Sequence, residues 1–286
     1  MKFLPTTKEE MKNLGWDSID VLLISGDTYL DTSYNGSALI GKWLVEHGFK
    51  VGIIAQPEVN VPDDITRLGE PNLFFAVSGG CVDSMVANYT ATKKRRQQDD
   101  FTPGGVNNKR PDRAVLVYSN MIRRFFKGTT KKIVISGIES SLRRITHYDY
   151  WTNKLRKPIL FDAKADILSY GMGEMSMLQL ANALKNDEDW KNITGLCYLS
   201  KEMKEDYLSL PSHSECLADK DKFIEAFHTF YLNCDPITAK GLCQKCDDRY
   251  LIQNPPSESY SEEIMDKIYS MEFARDVHPY YKKMGT

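Results

Sequence analysis

Short apolar runs recur along the chain, and each ends in a turn rich in small or polar residues. They are DVLLISG (20–26), KVGIIAQ (50–56), NLFFAVSGG (72–80), KKIVISG (131–137) and KADILSYGMG (164–173). Within each run the apolar positions are nearly continuous rather than alternating, the pattern of strands covered on both faces. Helical spacing appears between them in SALIGKWLVEHG (37–48), where Gly48 is placed to cap the C-terminus. CVDSMVANYT (81–90), RAVLVYSNMIRRFFKG (113–128) and EMSMLQLANALKN (174–186) are further helical patterns. Strand and helix in alternation predict the α/β class, with an open, mostly parallel, doubly wound sheet.

The segment 91–112 interrupts this rhythm. It is charged and holds TPGG and KRPDR, and connections of that length are either surface excursions or functional loops. Beyond residue 190 the pattern weakens. SHSECLADKDKFIEAFHTFYLN (212–233) reads as helical in its second half, DRYLIQ (248–253) as a short strand, and SEEIMDKIYSMEFAR (261–275) as a last helix. The expected organisation is an α/β domain over 1–190, an α/β extension packed on it over 191–253, and a linker with a helix over 254–286.

Composition adds exclusions. The net charge of −2 gives no whole-chain attraction to nucleic acid or an anionic membrane, and KKRR (93–96) is answered at once by QQDD. No apolar run approaches the roughly 18 residues of a membrane span, and the charged, proline-broken start is not read as a signal peptide. Six cysteines in 286 residues are too sparse for a disulfide scaffold, so the expected compartment is the cytoplasm.

In an open parallel sheet, ligands bind beyond the carboxyl ends of the strands. Candidate chemistry is therefore sought in the strand-end turns. The first, SGDTYLDTSYNGS (25–37), carries Asp27, Asp31 and Ser33 into a helix N-terminus; it reads either as a ligand edge or as an ordinary capped turn. The third offers Gly79 and Gly80, which let a backbone approach a ligand closely. The fourth, GIESSLRRITHYDYW (137–151), gathers Glu139, Arg143, Arg144, His147 and Asp149. Its arginines are an anion clamp in prospect, and His147 with Asp149 an acid–base or orienting pair. The fifth places Glu174 at a helix start, where the dipole alone favours a carboxylate.

Cys243 and Cys246 form one CxxC, with Cys234 nearby. A structural zinc site commonly needs two such pairs, so these three are weak metal candidates and partly buried free thiols are the favoured reading. CxxxCxxC, GxxxxGK[ST] and GxSxG are all absent from the sequence.

Taken in order, GDTYLDTSYNGSALIGKWLVEHGFKVGIIAQP, SGGCVDSMVANYTATKKRR, FTPGG, RPDRA, SGIESSLRRITHYDYW, FDAKADILSYGMGE and DRYLIQNPP resemble the N-terminal region of the YgiQ-type radical SAM protein family. The resemblance runs from about residue 15 to the end. It implies a cobalamin-binding-like, Rossmann-like domain preceding a radical SAM barrel whose CxxxCxxC holds a [4Fe–4S] cluster that cleaves S-adenosylmethionine. Where cobalamin-type domains carry DxHxxG, this chain has DTSYNG (31–36). Ser33 replaces the histidine, so a His-ligated cobalamin is disfavoured. The open alternatives are a corrin held without that ligand or a fold that has lost the cofactor, the second being favoured.

DVHPYYKKMGT (276–286) resembles the segment just before the barrel. The resemblance thus implies an isolated domain, a fragment of an interrupted gene, or half of a split enzyme. Its partner is the barrel, in cis or in trans, acting on an unknown substrate. Three functions follow: an accessory domain shaping a substrate or cofactor crevice, a stand-alone binding module for a corrin or nucleotide, or a docking surface centred on 137–151.

Overall fold

The computed structural model describes residues 1–285. The chain divides into two compact units, Met1–Glu139 together with the segment from Tyr260, and Ser140–Ser259. The expected boundaries at 190 and 254 are not where the division falls.

Four strands build the sheet of the first unit: β1 (Val21–Ser25), β2 (Val51–Ala55), β3 (Phe74–Ser78) and β4 (Lys132–Ser136), in the order β2-β1-β3-β4. All pair in parallel, with Val21 opposite both Val51 and Phe74, and Phe74 opposite Lys132. Every residue of β1 and β2 is buried, which is why these runs are continuously apolar. The helix Gly36–Glu46 returns the chain from β1 to β2. Its Asn35 side chain accepts from the Ser37 and Ala38 N–H groups, and Gly48 follows at φ 83°. The helix Ala114–Phe125 packs Ala114, Val115, Tyr118 and Ile122 inward at the spacing of one helix face.

The C-terminal segment is part of this unit rather than a linker. Val277 bridges Leu30, the Arg275 N–H donates to the Asp31 carbonyl at 2.9 Å, and the Ala55 N–H donates to the Tyr281 hydroxyl at 2.7 Å. Tyr281 itself is buried.

In the second unit, β5 (His147–Asp149) and β6 (Lys154–Arg156) form an antiparallel hairpin. A separate set comprises β7 (Ile167–Ser169), β8 (Leu196–Ser200), β9 (Leu208–Leu210), β10 (Leu242–Cys246) and β11 (Arg249–Gln253). Their order is β7-β8-β11-β10-β9. All neighbours in this set pair antiparallel except β9 and β10. The α/β class and the parallel sheet of the first unit match the expectation, while β7 joins β8 antiparallel. The region 212–233 holds two helices, His213–Ala218 and Lys220–Tyr231, separated by the extended Asp219, with a capping box between Ser212 and Glu215 starting the first. Among the described residues no helix is long and apolar enough to cross a membrane.

Candidate functional site

The order β2-β1-β3-β4 puts the topological switch point between β1 and β3, the place where such sheets open a ligand crevice. Here the chain fills it. Gly26, just past β1, donates its N–H to the Ser78 carbonyl at 2.9 Å, and a Cβ on Gly26 would overlap the carbonyl of Gly79. Gly80 lies at φ 113°, and a Cβ there would overlap the Asp27 carboxylate; one on Gly79 would overlap that of Glu139. Gly79 and Gly80 are required by close packing against the protein's own carboxylates, and Gly26 by close packing against the Gly79 backbone.

Asp27 is buried and accepts from the Cys81 N–H at 2.6 Å and from Arg110 Nη2 at 2.5 Å. Arg110 is 0 % exposed in its side chain. Its Nε donates to the Gly26 carbonyl at 2.9 Å, and Nη1 stands 2.9 Å from Asp99 Oδ2. Asp99 also accepts from the Thr102 hydroxyl at 2.6 Å, and Thr102 in turn accepts from Gln56 Nε2 at 2.7 Å. The Thr28 N–H donates to the Phe101 carbonyl at 2.8 Å. The charged segment 91–112 is therefore a plug over the strand ends, with an arginine between two aspartates at its centre.

Glu139 serves two helix N-termini with one carboxylate. Oε2 accepts from the Ser84 N–H at 3.0 Å and Oε1 from the Val115 N–H at 3.1 Å, in the first turns of the helices Ser84–Asn88 and Ala114–Phe125. A buried carboxylate is favoured there because it meets unsatisfied N–H groups and the positive end of the dipole. Cys81, beside Asp27, has its thiol pushed up to about 12 by burial and then by that neighbouring carboxylate, so at neutral pH it is not a thiolate nucleophile.

Asp31 belongs to another network. It accepts from the Tyr29 hydroxyl at 2.8 Å and the Ala274 N–H at 2.6 Å, and pairs with Lys42 at 3.0 Å. Lys42 also donates to the carbonyls of Lys2 and Glu272 at 2.9 and 2.8 Å. Ser33 is exposed. Its turn brings Asn35 to the helix as a cap, and DTSYNG places no imidazole. With the switch point filled as well, the residues present do not fit a corrin at this edge.

The remaining candidates lie in the second unit. Arg144 is not an open clamp: Nη1 donates to the Ser141 carbonyl at 2.5 Å and Nε to Gln253 Oε1 at 3.1 Å, while the guanidinium lies 4.5 Å from the Tyr170 ring centroid and 4.4 Å from that of Phe230. The Arg143 carbonyl accepts from the Ile159 N–H at 2.8 Å. His147 Nδ1 is 3.1 Å from the Ile145 carbonyl, and burial above all holds the imidazole down at about 4, so it is neutral at pH 7. Asp149 accepts from the Thr152 N–H and hydroxyl at 3.2 and 2.5 Å, closing its own turn. Glu174 is buried at the start of the helix Glu174–Asn186.

Cys243 and Cys246 both sit on β10, three residues apart, so they point to opposite faces of the strand and cannot share an ion. Burial pushes the Cys246 thiol up to about 12 and raises that of Cys243. Cys234 is exposed and donates to the Phe230 carbonyl at 3.2 Å. Among the described residues no three His, Cys, Asp or Glu side chains converge as a metal site.

Two open spaces escaped the sequence reading. One is a cleft of about 360 Å³ at the carboxyl end of β2, lined by Ala55, Gln56, Arg67, Lys109, Tyr280 and Tyr281. Gln56 at its edge adopts φ 45°, uncommon for a residue with a side chain. The other is an apolar groove of about 440 Å³ in the second unit, between 141–148 and the helix Lys220–Tyr231.

Residues 3–286 match the family model described as Radical SAM N-terminal. A UPF0313 protein of Fusobacterium nucleatum is 98% identical over 286 residues, which are 100% of this chain and 50% of that protein. A UPF0313 protein of Thermotoga neapolitana is 51% identical over 99% of the chain and 50% of its own length, and one of Clostridium botulinum 44% identical over 100% and 45%. The chain thus spans about half the length of the curated relatives it matches. A solved structure of TsrM from Kitasatospora setae, a radical S-adenosylmethionine methyltransferase with tryptophan and a SAM analog bound, shows a partial likeness: TM-score 0.41 and 16% identity, over 62% of this chain and 28% of that one. Another, with cobalamin and a [4Fe–4S] cluster bound, gives 0.39 and 16% over 63% and 27%. By its match from residue 3 onward and these half-length relatives, the chain belongs to the Radical SAM N-terminal family.

Proposed function

We propose that the chain is the accessory N-terminal half of a radical SAM enzyme, giving its catalytic half a folded platform while holding no cofactor itself. The observation that carries this reading is the family match over 3–286 in a chain that covers half of its relatives. The donor chemistry is consistent with it. The carboxylates and glycines of the strand ends are spent on Arg110, on helix N-termini and on backbone, and the cysteines do not converge. The [4Fe–4S] cluster and S-adenosylmethionine belong in this reading to the other half of the full-length protein, which works in the reducing cytoplasm on a substrate still to be identified.

The test is anaerobic reconstitution of the full-length protein with iron and sulfide, followed by reduction and addition of S-adenosylmethionine. Release of 5′-deoxyadenosine by the full-length protein, and none by residues 1–286 alone, is expected. A reconstituted full-length protein that leaves S-adenosylmethionine intact would refute the assignment. A second reading, a non-catalytic module for a corrin or nucleotide, draws on the cleft at the end of β2 and is tested by ligand titration below.

A further inference from the structure

The helix Lys220–Tyr231 is apolar on two sides. Phe223, Ala226 and Phe230, spaced i, i+3, i+7, form the side turned toward the protein, with Ala226 buried. Ile224, Phe227 and Tyr231 repeat the same spacing one position on, yet they are 62, 55 and 67% exposed. A soluble surface helix normally gives that side to polar residues, and contiguous exposed apolar area marks an interaction site. The stripe continues into the apolar groove, whose opposite wall includes Leu142 and Tyr148, themselves 62 and 51% exposed.

The groove's chemistry fits a protein surface better than a charged ligand. Its one guanidinium, Arg144, is already held by Ser141, Gln253 and two aromatic rings. Aromatic residues with a caged arginine, and charge depleted at the centre, are the composition of an interface core. The relatives supply an occupant, since about half of each lies outside the part that this chain matches. We infer that the groove and the Ile224–Phe227–Tyr231 stripe form the seat on which the C-terminal half of the full-length polypeptide docks. This rests on the reading of the chain as the accessory half of a longer enzyme.

The experiment uses Ile224→Cys in the full-length Fusobacterium relative and in residues 1–286, with Lys201→Cys, exposed elsewhere in the same unit, as control. Alkylation by iodoacetamide is followed at each site by peptide mass spectrometry. A docked half slows modification of I224C about tenfold or more in the full-length protein, since the thiol then reacts only through local opening, while K201C reacts alike in both. Equal rates for I224C in the two proteins would overturn the inference. So would a slow I224C in residues 1–286 that speeds up on dilution into monomer, because the occupant would then be a second copy. Measuring 5′-deoxyadenosine release on the same full-length sample separates the two failures: activity with an open groove sinks only the docking surface, and a covered groove without activity sinks only the enzyme assignment.

Discussion

Replacing Arg110 by methionine isolates the plug over the switch point. The substitution keeps most of the side-chain stem and deletes the guanidinium, together with its contacts to Asp27 at 2.5 Å, Asp99 at 2.9 Å and the Gly26 carbonyl at 2.9 Å. Both carboxylates stay buried without their cation. Removing one partner of a buried pair costs about 3–5 kcal/mol, because the remaining charge is left in low dielectric. At about 2–4 °C per kcal/mol for a unit of this size, the midpoint falls by about 10 °C. Thermal and urea unfolding read by tryptophan emission are the assays, since Trp43 is buried in the first unit. Combining Arg110→Met with Asp27→Asn and Asp99→Asn should recover much of the loss, as an apolar or neutral replacement of the whole network is far cheaper than half of it. An R110M protein within about 0.5 kcal/mol of wild type, the range of an ordinary surface change, would refute the view that this network fastens the plug.

Two further perturbations read the same edge and the second unit. Gly80→Ala should destabilise by about 2 kcal/mol or more in urea unfolding, because φ 113° is strained for any Cβ and the added carbon meets the Asp27 carboxylate; unchanged stability would mean that the turn yields freely. His147, held down at about 4 by burial, contributes stability that is fully present above its ordinary 6.5 and drains as pH falls from there toward 4. Against His147→Asn, wild type should therefore lose on the order of 2 kcal/mol more between those pH values, an amount reduced by partial exposure of the ring; parallel stability curves would contradict a neutral buried imidazole.

The strands of the first unit were legible because burial on both faces leaves a continuous apolar run, and its principal helices because each carries one clear face or cap. What the strand-end residues do was not. A carboxylate past a strand end looks the same in sequence whether it waits for a ligand or meets its own chain. The partners here are remote: Arg110 lies 83 residues from Asp27, and Ala274 lies 243 from Asp31. Those long-range bonds also explain why the segment read as a linker is knitted into the first unit. The CxxC is no chelating pair for a local reason. Its spacing suits a chelating turn, yet β10 is a strand, and alternation sends the two thiols to opposite faces. In the second unit β5, β6 and β9 have three residues each, too few to show any period. The stripe Ile224–Phe227–Tyr231 was legible as helix, but the exposure that gives it meaning is a tertiary fact.

Cobalamin, S-adenosyl compounds and nucleotides titrated against residues 1–286 test the self-filled strand ends most directly, with the melting temperature as readout. A ligand at 100 times its Kd would add about 2.7 kcal/mol, an amount that thermal unfolding resolves. If Arg110, Asp27 and Glu139 occupy the switch point with the chain's own contacts, no compound shifts the midpoint. A saturable shift with a corrin or nucleotide, lost on Gln56→Ala or Gly80→Ala, would show that the edge or its neighbouring cleft takes a ligand after all.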